Sequence, residues 1–232
     1  MNEMRRLPSM IPVRFAGILF DFDGVLLESE YAGNKQIAKY LTSIGHPTTP
    51  EHSMANFMGL AGDDFLAAIE HWIGRAIPEG FHEARAEEDA RALAEGLPAV
   101  AGALRFLESL PTDLPKAIAS SSPTHWLDTH LRHLGVRDLF GDKLFSGREH
   151  VANGKPAPDL YLHAAAALGV PIAECVILED SPVGVKGAVA SGATVIGLCA
   201  GSHCAADHGA RLKALGVHHI AHDFDEVARL IA

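Results

Sequence analysis

The sequence places two pairs of carboxylates directly after short apolar runs. Asp21 and Asp23 follow the first such run, and Glu179 and Asp180 follow a later one. Carboxylates that share a pocket repel each other unless a cation joins them. Ligand sets made only of oxygen suit Mg²⁺, which keeps positions open for water and for a substrate phosphate. These four residues therefore predict a site for a divalent cation.

A hydroxyl and an amine accompany the carboxylates. Ser120 ends another apolar run, and Lys155 stands in the turn Gly-Lys-Pro-Ala-Pro-Asp that precedes a predicted helix. Phosphoryl transfer requires a nucleophile, a proton donor and positive charge over the phosphoryl oxygens. The residue types present here match that requirement.

The elements that must position these groups are short strands alternating with helices. The apolar runs are typical of buried strands in a parallel sheet. The predicted strands cover residues 15–20, 116–119, 175–178, 194–198 and 219–221, and the predicted helices between them cover residues 126–134, 160–168 and 183–190. The pattern indicates an α/β fold with a parallel sheet, in which ligands bind at the carboxyl ends of the strands.

One long stretch between the first two strands interrupts this alternation. It contains no convincing strand, and its predicted helices cover residues 34–43, 62–74 and 80–95. We therefore expect a core formed by residues 1–30 and 97–232, and an all-helical insert formed by residues 31–96.

Composition excludes several classes of function. The 232 residues carry a formal net charge of −10, which argues against broad binding of nucleic acid or of an anionic membrane. Three cysteines are too few for a disulfide framework, and the N-terminal residues lack an apolar stretch of signal-peptide length. We expect a cytoplasmic protein that binds neither nucleic acid nor membrane.

The motifs occur in a family-specific order: Asp-Phe-Asp-Gly-Val-Leu from Asp21, then Ser120, then Lys155, then the pair Glu179 and Asp180. This order resembles the haloacid dehalogenase-like (HAD) hydrolase superfamily, whose four motifs are all present. The helical insert is similar to the small C1 cap of that family. Residues 142–181 look like the branch of sugar-phosphate phosphatases and β-phosphoglucomutases. The resemblance implies a Rossmann-like core with an inserted cap.

The resemblance also implies catalytic roles. Asp21 would be the nucleophile that becomes an aspartyl phosphate. Asp23 would be the general acid for the leaving alcohol and then the base for water. Ser120 and Lys155 would hold the transferring phosphoryl group.

The same resemblance implies a Mg²⁺ site. Its ligands would be Asp21, the backbone carbonyl of Asp23, and Asp180. Glu179 would be either a further ligand or a residue that orients the others.

The expected activity is hydrolysis of a small soluble phosphomonoester, such as a sugar phosphate or phosphosugar acid. Candidate substrate contacts are Ser121 beside the phosphoryl site, Gly59 in a cap loop, and Arg85 as a cap cation for a distal anionic group. The partner is therefore a small phosphorylated metabolite. We expect a monomer, with a homodimer as the alternative.

Two other functions remain open. A β-phosphoglucomutase-like isomerase would carry a cap histidine about a dozen residues after the nucleophile, and simple offset places Gly33 there. A non-catalytic regulatory protein would require a broken site, whereas every motif residue is intact. Asp23 argues against carbon–halogen cleavage, because haloacid dehalogenases lack an aspartate at this position.

The clustered histidines and one tryptophan are given no chemical role. The chain has 14 histidines, and His203, Cys204 and His208 form one cluster in sequence. Their spacing matches no closed zinc pattern, so we expect surface or loop histidines. We expect Trp126 to be a packing residue.

Overall fold

A computed structural model describes residues 11–58 and 62–232 of the chain. It contains six strands in this part of the chain. They are Gly17–Phe20 (β1), Lys116–Ser120 (β2), Leu144–Ser146 (β3), Cys175–Glu179 (β4), Thr194–Leu198 (β5) and His219–Ala221 (β6). The prediction missed β3, because a three-residue edge strand is too short to show a hydrophobic period.

All strand pairs of the sheet are parallel, and the order is β3-β2-β1-β4-β5-β6. Phe20 of β1 pairs with Ile118 of β2 on one side and with Leu178 of β4 on the other. This register brings the carboxyl ends of the three central strands to the same edge of the sheet.

Ten α-helices lie in the described part of the chain. They are Ser29–Ser43 (α1), Pro50–Phe57 (α2), Gly62–Ile73 (α3), Gly80–Glu95 (α4), Ala103–Ser109 (α5), Thr124–His133 (α6), Asp159–Leu168 (α7), Pro182–Ser191 (α8), His208–Ala214 (α9) and Phe224–Ile231 (α10). The prediction missed α2, although Thr49 caps it by accepting a hydrogen bond from the His52 amide and Pro50 begins it. Within these ranges, no helix combines the length and apolar character that spanning a bilayer requires.

Alternation along β1 builds a core on both faces of the sheet. Ile18 and Phe20 belong to the apolar cluster on one face, and Leu19 belongs to the cluster on the other. The burial of β1 on both faces is typical of a central strand in a parallel sheet. These findings confirm the predicted α/β fold with a Rossmann-like parallel sheet.

Helices α1 to α4 have an apolar cluster of their own, which includes Ile37, Leu41 and Phe81. The chain leaves the sheet for α1 and returns after α4 along two adjacent segments. The Glu28 amide donates to the Pro98 carbonyl at 2.9 Å, and the Val100 amide donates to the Leu26 carbonyl at 3.0 Å. The division into a core and a cap of residues 31–96 remains our proposal.

Candidate active site

Two glycines make room for carboxylates at the carboxyl edge of the sheet. Gly24 has a φ of +81°, and a Cβ there would overlap the carboxylate of Asp180. A Cβ at Gly184 would overlap the carboxylate of Glu179. Only glycine therefore allows the backbone after β1 and the first turn of α8 to approach these side chains so closely.

Lys155 contacts carboxylates at the ends of two neighbouring strands, Asp21 after β1 and Glu179 in β4. Its Nζ lies 2.6 Å from Asp21 Oδ1 and 2.7 Å from Glu179 Oε1, and the lysine side chain is only 3% exposed. The hydroxyl of Tyr161 donates to the same Glu179 oxygen at 2.9 Å. The structure thus brings together three residues that are far apart in sequence and adds a tyrosine that the sequence analysis did not identify.

Both oxygens of Glu179 already have partners. Besides the contacts of Oε1, the Oε2 atom accepts the Ser181 amide at 2.8 Å and the Ser181 hydroxyl at 3.1 Å. A carboxylate held in this way orients Lys155, and this contact pattern favours the orienting role over direct metal ligation.

The protonation behaviour of the cluster reflects burial and an excess of negative charge. Burial raises the pKa of Asp21 well above its usual value, and Glu179 and Asp180 raise it further against the opposing effect of Lys155. Burial also raises the pKa of Asp180, as does the charge of Glu179. For Lys155, burial alone would lower the pKa, but Asp21 and Glu179 raise it well above its usual value.

The same cluster fits a divalent cation. Carboxylate oxygens of Asp21, Glu179 and Asp180 lie within 4.8 Å of one another, and they face one ammonium group. Asp180 Oδ1 is buried and has no hydrogen-bond partner among the described residues. An unpartnered buried carboxylate oxygen is costly, and a hard cation would satisfy it. The residues present therefore fit Mg²⁺.

Asp23 is surrounded by donors. The Ser122 hydroxyl donates to its Oδ2 at 2.6 Å, the Ser29 hydroxyl donates to its Oδ1 at 2.7 Å, and the Trp126 indole donates to Oδ1 at 3.1 Å. Ser120 Oγ lies 3.4 Å from Oδ2. Trp126 packs against the core, as predicted. Its indole N–H also reaches a carboxylate 103 residues away in sequence, a contact that the prediction did not include.

The predicted substrate contacts lie in different surroundings. Ser121 is exposed at the end of β2. Arg85 on α4 is half-buried, and its Nη1 lies 3.5 Å from the Gly33 carbonyl oxygen. It lines a groove of about 330 Å³ between α1 and α4. Gly59 lies outside the described residues.

Glu30 in the first turn of α1 is a further residue that the sequence analysis missed. Burial raises its pKa, the charge of Asp23 raises it further, and His203 and Arg85 oppose this rise. The charge of Glu30 is therefore coupled to those of Asp23 and Arg85. A single acidic residue in a helix gives no sequence signal for such a position.

The clustered histidines were expected to be surface or loop residues. His203 does lie in a loop, but neither His203 nor His208 is at the surface. His203 and His208 are both buried, and both contact Asp180. His203 Nε2 lies 2.8 Å from Asp180 Oδ2, and His208 Nε2 lies 2.6 Å from the Asp180 carbonyl oxygen. Burial lowers the pKa of both imidazoles, so both are neutral near pH 7.

Comparison with known families gives a match over most of the chain. The haloacid dehalogenase-like hydrolase family matches residues 15–192. This range contains the four motifs and the helices between β1 and β2, but neither His203 nor His208.

Individual relatives give the same result. The chain is 30% identical over 192 residues to 6-phosphogluconate phosphatase of Escherichia coli K12, covering 82% of this chain and 85% of that protein. It is 32% identical over 187 residues to hexitol phosphatase A of the same organism, covering 79% and 83% of the two chains. A solved HAD family hydrolase of Deinococcus radiodurans R1, with bound phosphate and sodium, matches with a TM-score of 0.82 at 31% identity, covering 95% of this chain and 99% of that one.

Proposed function

The chain belongs to the haloacid dehalogenase-like hydrolases and is similar to two sugar-acid and hexitol phosphatases, and we therefore propose that it is a Mg²⁺-dependent phosphatase of small phosphorylated sugars or sugar acids. The observation that carries this proposal is the buried contact of Lys155 with Asp21 and Glu179, next to the unpartnered oxygen of Asp180. It combines a nucleophile, a fixed positive charge and a place for a hard cation.

The substrate class follows from the relatives and the charges. The relatives are named for a phosphorylated sugar acid and for hexitol phosphates. We extend that class to this chain because the phosphoryl group has one buried cation, Lys155, and Arg85 offers a second on α4. A phosphorylated sugar carboxylate would use both cations.

Asp21 and Asp23 carry the two chemical steps. First, a carboxylate oxygen of Asp21 forms a bond to phosphorus while the bond to the alcohol oxygen breaks and Asp23 gives that oxygen its proton. Water then gives a proton to Asp23 and attacks the aspartyl phosphate. This second step releases inorganic phosphate and restores the Asp21 carboxylate.

Ser120 and Lys155 hold the phosphoryl group, and Glu179 with Tyr161 holds Lys155. A charge fixed by buried partners needs little reorganisation when negative charge develops on the phosphoryl oxygens. Burial therefore converts an ordinary lysine into a preorganised anion contact.

Asp21, the backbone carbonyl of Asp23, and Asp180 would hold Mg²⁺. When bound, the ion neutralises charge on the phosphoryl oxygens and reduces their repulsion of the attacking carboxylate. Glu179 is assigned to orienting Lys155, because both of its oxygens are already occupied.

Residues 31–96 are proposed to act as a cap that closes over the substrate and excludes water. Arg85 and Gly59 would contact the distal part of the substrate, and Ser121 would contact its phosphate. The protein is further proposed to act in the cytoplasm as a monomer.

The test is a phosphate-release screen with Mg²⁺ over aldose phosphates, hexitol phosphates and phosphorylated sugar acids. We expect release from at least one of these classes, and loss of release when a chelator removes the metal. Interconversion of hexose phosphates without phosphate release, in the presence of a bisphosphate primer, would instead identify a mutase. Turnover of none of the substrates would favour a regulatory protein.

A further inference from the structure

The segment from the end of β5 to the first residue of α9 carries four metal-ligating side chains. They are Cys199, His203, Cys204 and His208. His203 is 4% exposed and His208 is 2% exposed, and both cysteines are free thiols that are half-buried. Ligand atoms of His203, Cys204 and His208 lie within 4.8 Å of one another.

The His203 ring occupies space that two glycines leave for it. A Cβ at Gly201 would lie 2.5 Å from its Cε1 atom, and a Cβ at Gly24 would lie 2.9 Å away. Yet its buried Nδ1 has no hydrogen-bond partner in the described part of the chain. The ring is therefore held by packing and by the contacts of its other nitrogen, Nε2, with Cys204 and Asp180.

The distances suit a tetrahedral ion. Cys204 Sγ lies 3.4 Å from His203 Nε2. Bond lengths of about 2.3 Å to sulfur and about 2.0–2.1 Å to nitrogen place the two ligand atoms about 3.6 Å apart around tetrahedral zinc. Small side-chain movements would therefore complete the site.

The ligand types select the metal. Thiolate and imidazole prefer Zn²⁺, whereas the carboxylates of Asp21 and Asp180 suit Mg²⁺. A second thiol lies nearby, because Cys199 Sγ would be 3.5 Å from a Cβ at Gly209, the residue after His208. Two cysteines and two histidines complete a common four-ligand set for zinc.

We propose that His203, Cys204 and His208 bind Zn²⁺, with Cys199 as the fourth ligand. Each thiol loses its proton to solvent when it binds the ion. Its ligands are not residues of the carboxylate cluster, although His203 and His208 both contact Asp180, and the site does not depend on phosphatase activity.

One consequence of this site does rest on the proposed function. His203 Nε2 now lies 2.8 Å from Asp180 Oδ2, and this nitrogen cannot both donate to the carboxylate and bind zinc. Zinc would therefore release Asp180 from its imidazole partner. Loss of an outer partner typically weakens a metal site by about 10- to 100-fold, so we expect Zn²⁺ to raise the half-activating Mg²⁺ concentration about tenfold.

The site is tested on the metal-free full chain in a phosphine reductant. Co²⁺ serves as a coloured substitute for Zn²⁺, and the readout is its thiolate charge-transfer absorption, followed by displacement with Zn²⁺. We expect one equivalent to bind with this absorption in the wild type and in Asp21→Asn. The absorption should be lost in Cys204→Ser, whose zinc affinity should fall at least about tenfold. The exposed His222 supplies the control His222→Gln, which should bind as the wild type does.

Three results would overturn the site: no thiolate absorption in the wild type, the same absorption in Cys204→Ser, or loss of binding in Asp21→Asn. The last result would place the ion in the carboxylate cluster. If Cys204→Ser does not fold by circular dichroism, Cys199→Ser replaces it and should reduce both the absorption and the affinity.

The coupling is tested separately by Mg²⁺ activation curves with and without one equivalent of Zn²⁺. We expect the curve to shift in the wild type and not in Cys204→Ser. Equal shifts in both proteins would overturn the coupling. A chain that shows the thiolate absorption but releases phosphate from no substrate would contradict the proposed function and leave the zinc site intact.

Discussion

Two ion pairs of equal length show how differently the sheet edge and the helical insert use charge. Lys155 lies 2.6 Å from Asp21 at the carboxyl end of β1, and Arg91 lies 2.6 Å from Glu88 on α4. The Lys155 side chain is 3% exposed, whereas that of Arg91 is 50% exposed. The two pairs have the same length, but water reaches only the pair on α4.

The difference in exposure decides what each pair can do. Water and salt screen the pair on α4, so it contributes little to stability. The buried pair is unscreened, and removal of one partner leaves a charge without compensation. We therefore expect substitutions at the sheet edge to affect chemistry strongly, and substitutions on α4 to affect substrate binding or nothing at all.

The largest effect is expected for Asp21→Asn. The amide cannot form the bond to phosphorus, so kcat should fall at least about 10⁴-fold, a loss typical of removing a nucleophile. Steady-state phosphate release measures this loss, and circular dichroism checks the fold. Asp142, paired with Lys143 on the surface, supplies the control Asp142→Asn, which should retain full activity. Turnover within tenfold of wild type in Asp21→Asn would contradict the assignment.

Asp180→Asn should separate function from stability. We expect it to lose Mg²⁺ activation, while its metal-free form is more stable than the wild type by about 1 kcal/mol at pH 7, because a buried charge is removed. The pKa of Asp180 is raised in the folded state from its ordinary value of 3.8, so its contribution to stability falls as pH rises above that value. The extra stability of metal-free Asp180→Asn over the wild type should therefore be present at pH 7 and absent below about pH 4. Urea unfolding in chelator at the two pH values measures it, and equal stability of both proteins at pH 7 would argue against this electrostatic account.

Glu179→Gln should have an intermediate effect. Glutamine keeps the size of the side chain but removes the charge that holds Lys155, so we expect kcat to fall about 10- to 100-fold. Tyr161→Phe, which removes one neutral hydrogen bond to the same oxygen, should lower kcat less. Steady-state kinetics rank the two variants, and Glu149→Gln on the surface is the control. The orienting role would be wrong if Tyr161→Phe proved more damaging than Glu179→Gln.

The smallest effect is expected on α4. Arg85→Ala should raise KM about tenfold with little change in kcat, because a cation that contacts the distal part of a substrate contributes about 1.4 kcal/mol to binding. Arg105→Ala on α5, where the arginine pairs with Asp225 on the surface, should leave both constants unchanged. Kinetics with the best substrate of the screen measure this difference. Identical constants for the two variants would remove Arg85 from the substrate site.

The sequence alone identified the residues of the central cluster because their signals are local. A short apolar run followed by Asp21 and Asp23, or by Glu179 and Asp180, predicts polar groups at the end of a buried strand. The parallel sheet then brings them to one edge, as the pairing of β1 with β2 and β4 shows. The contacts of Tyr161 and Trp126 could not be predicted in this way, because their carboxylate partners lie 18 and 103 residues away.

The sequence by itself determined the α/β class, the order of the motifs and the family. These depend on periodicity and on residue type, which are visible along the chain. Only the tertiary structure decided which carboxylate oxygens are occupied, which is left without a partner, and that two histidines lie against Asp180. The reason is physical: burial and hydrogen bonding depend on which distant residues share a small volume, and they set both the cost of a charge and its use.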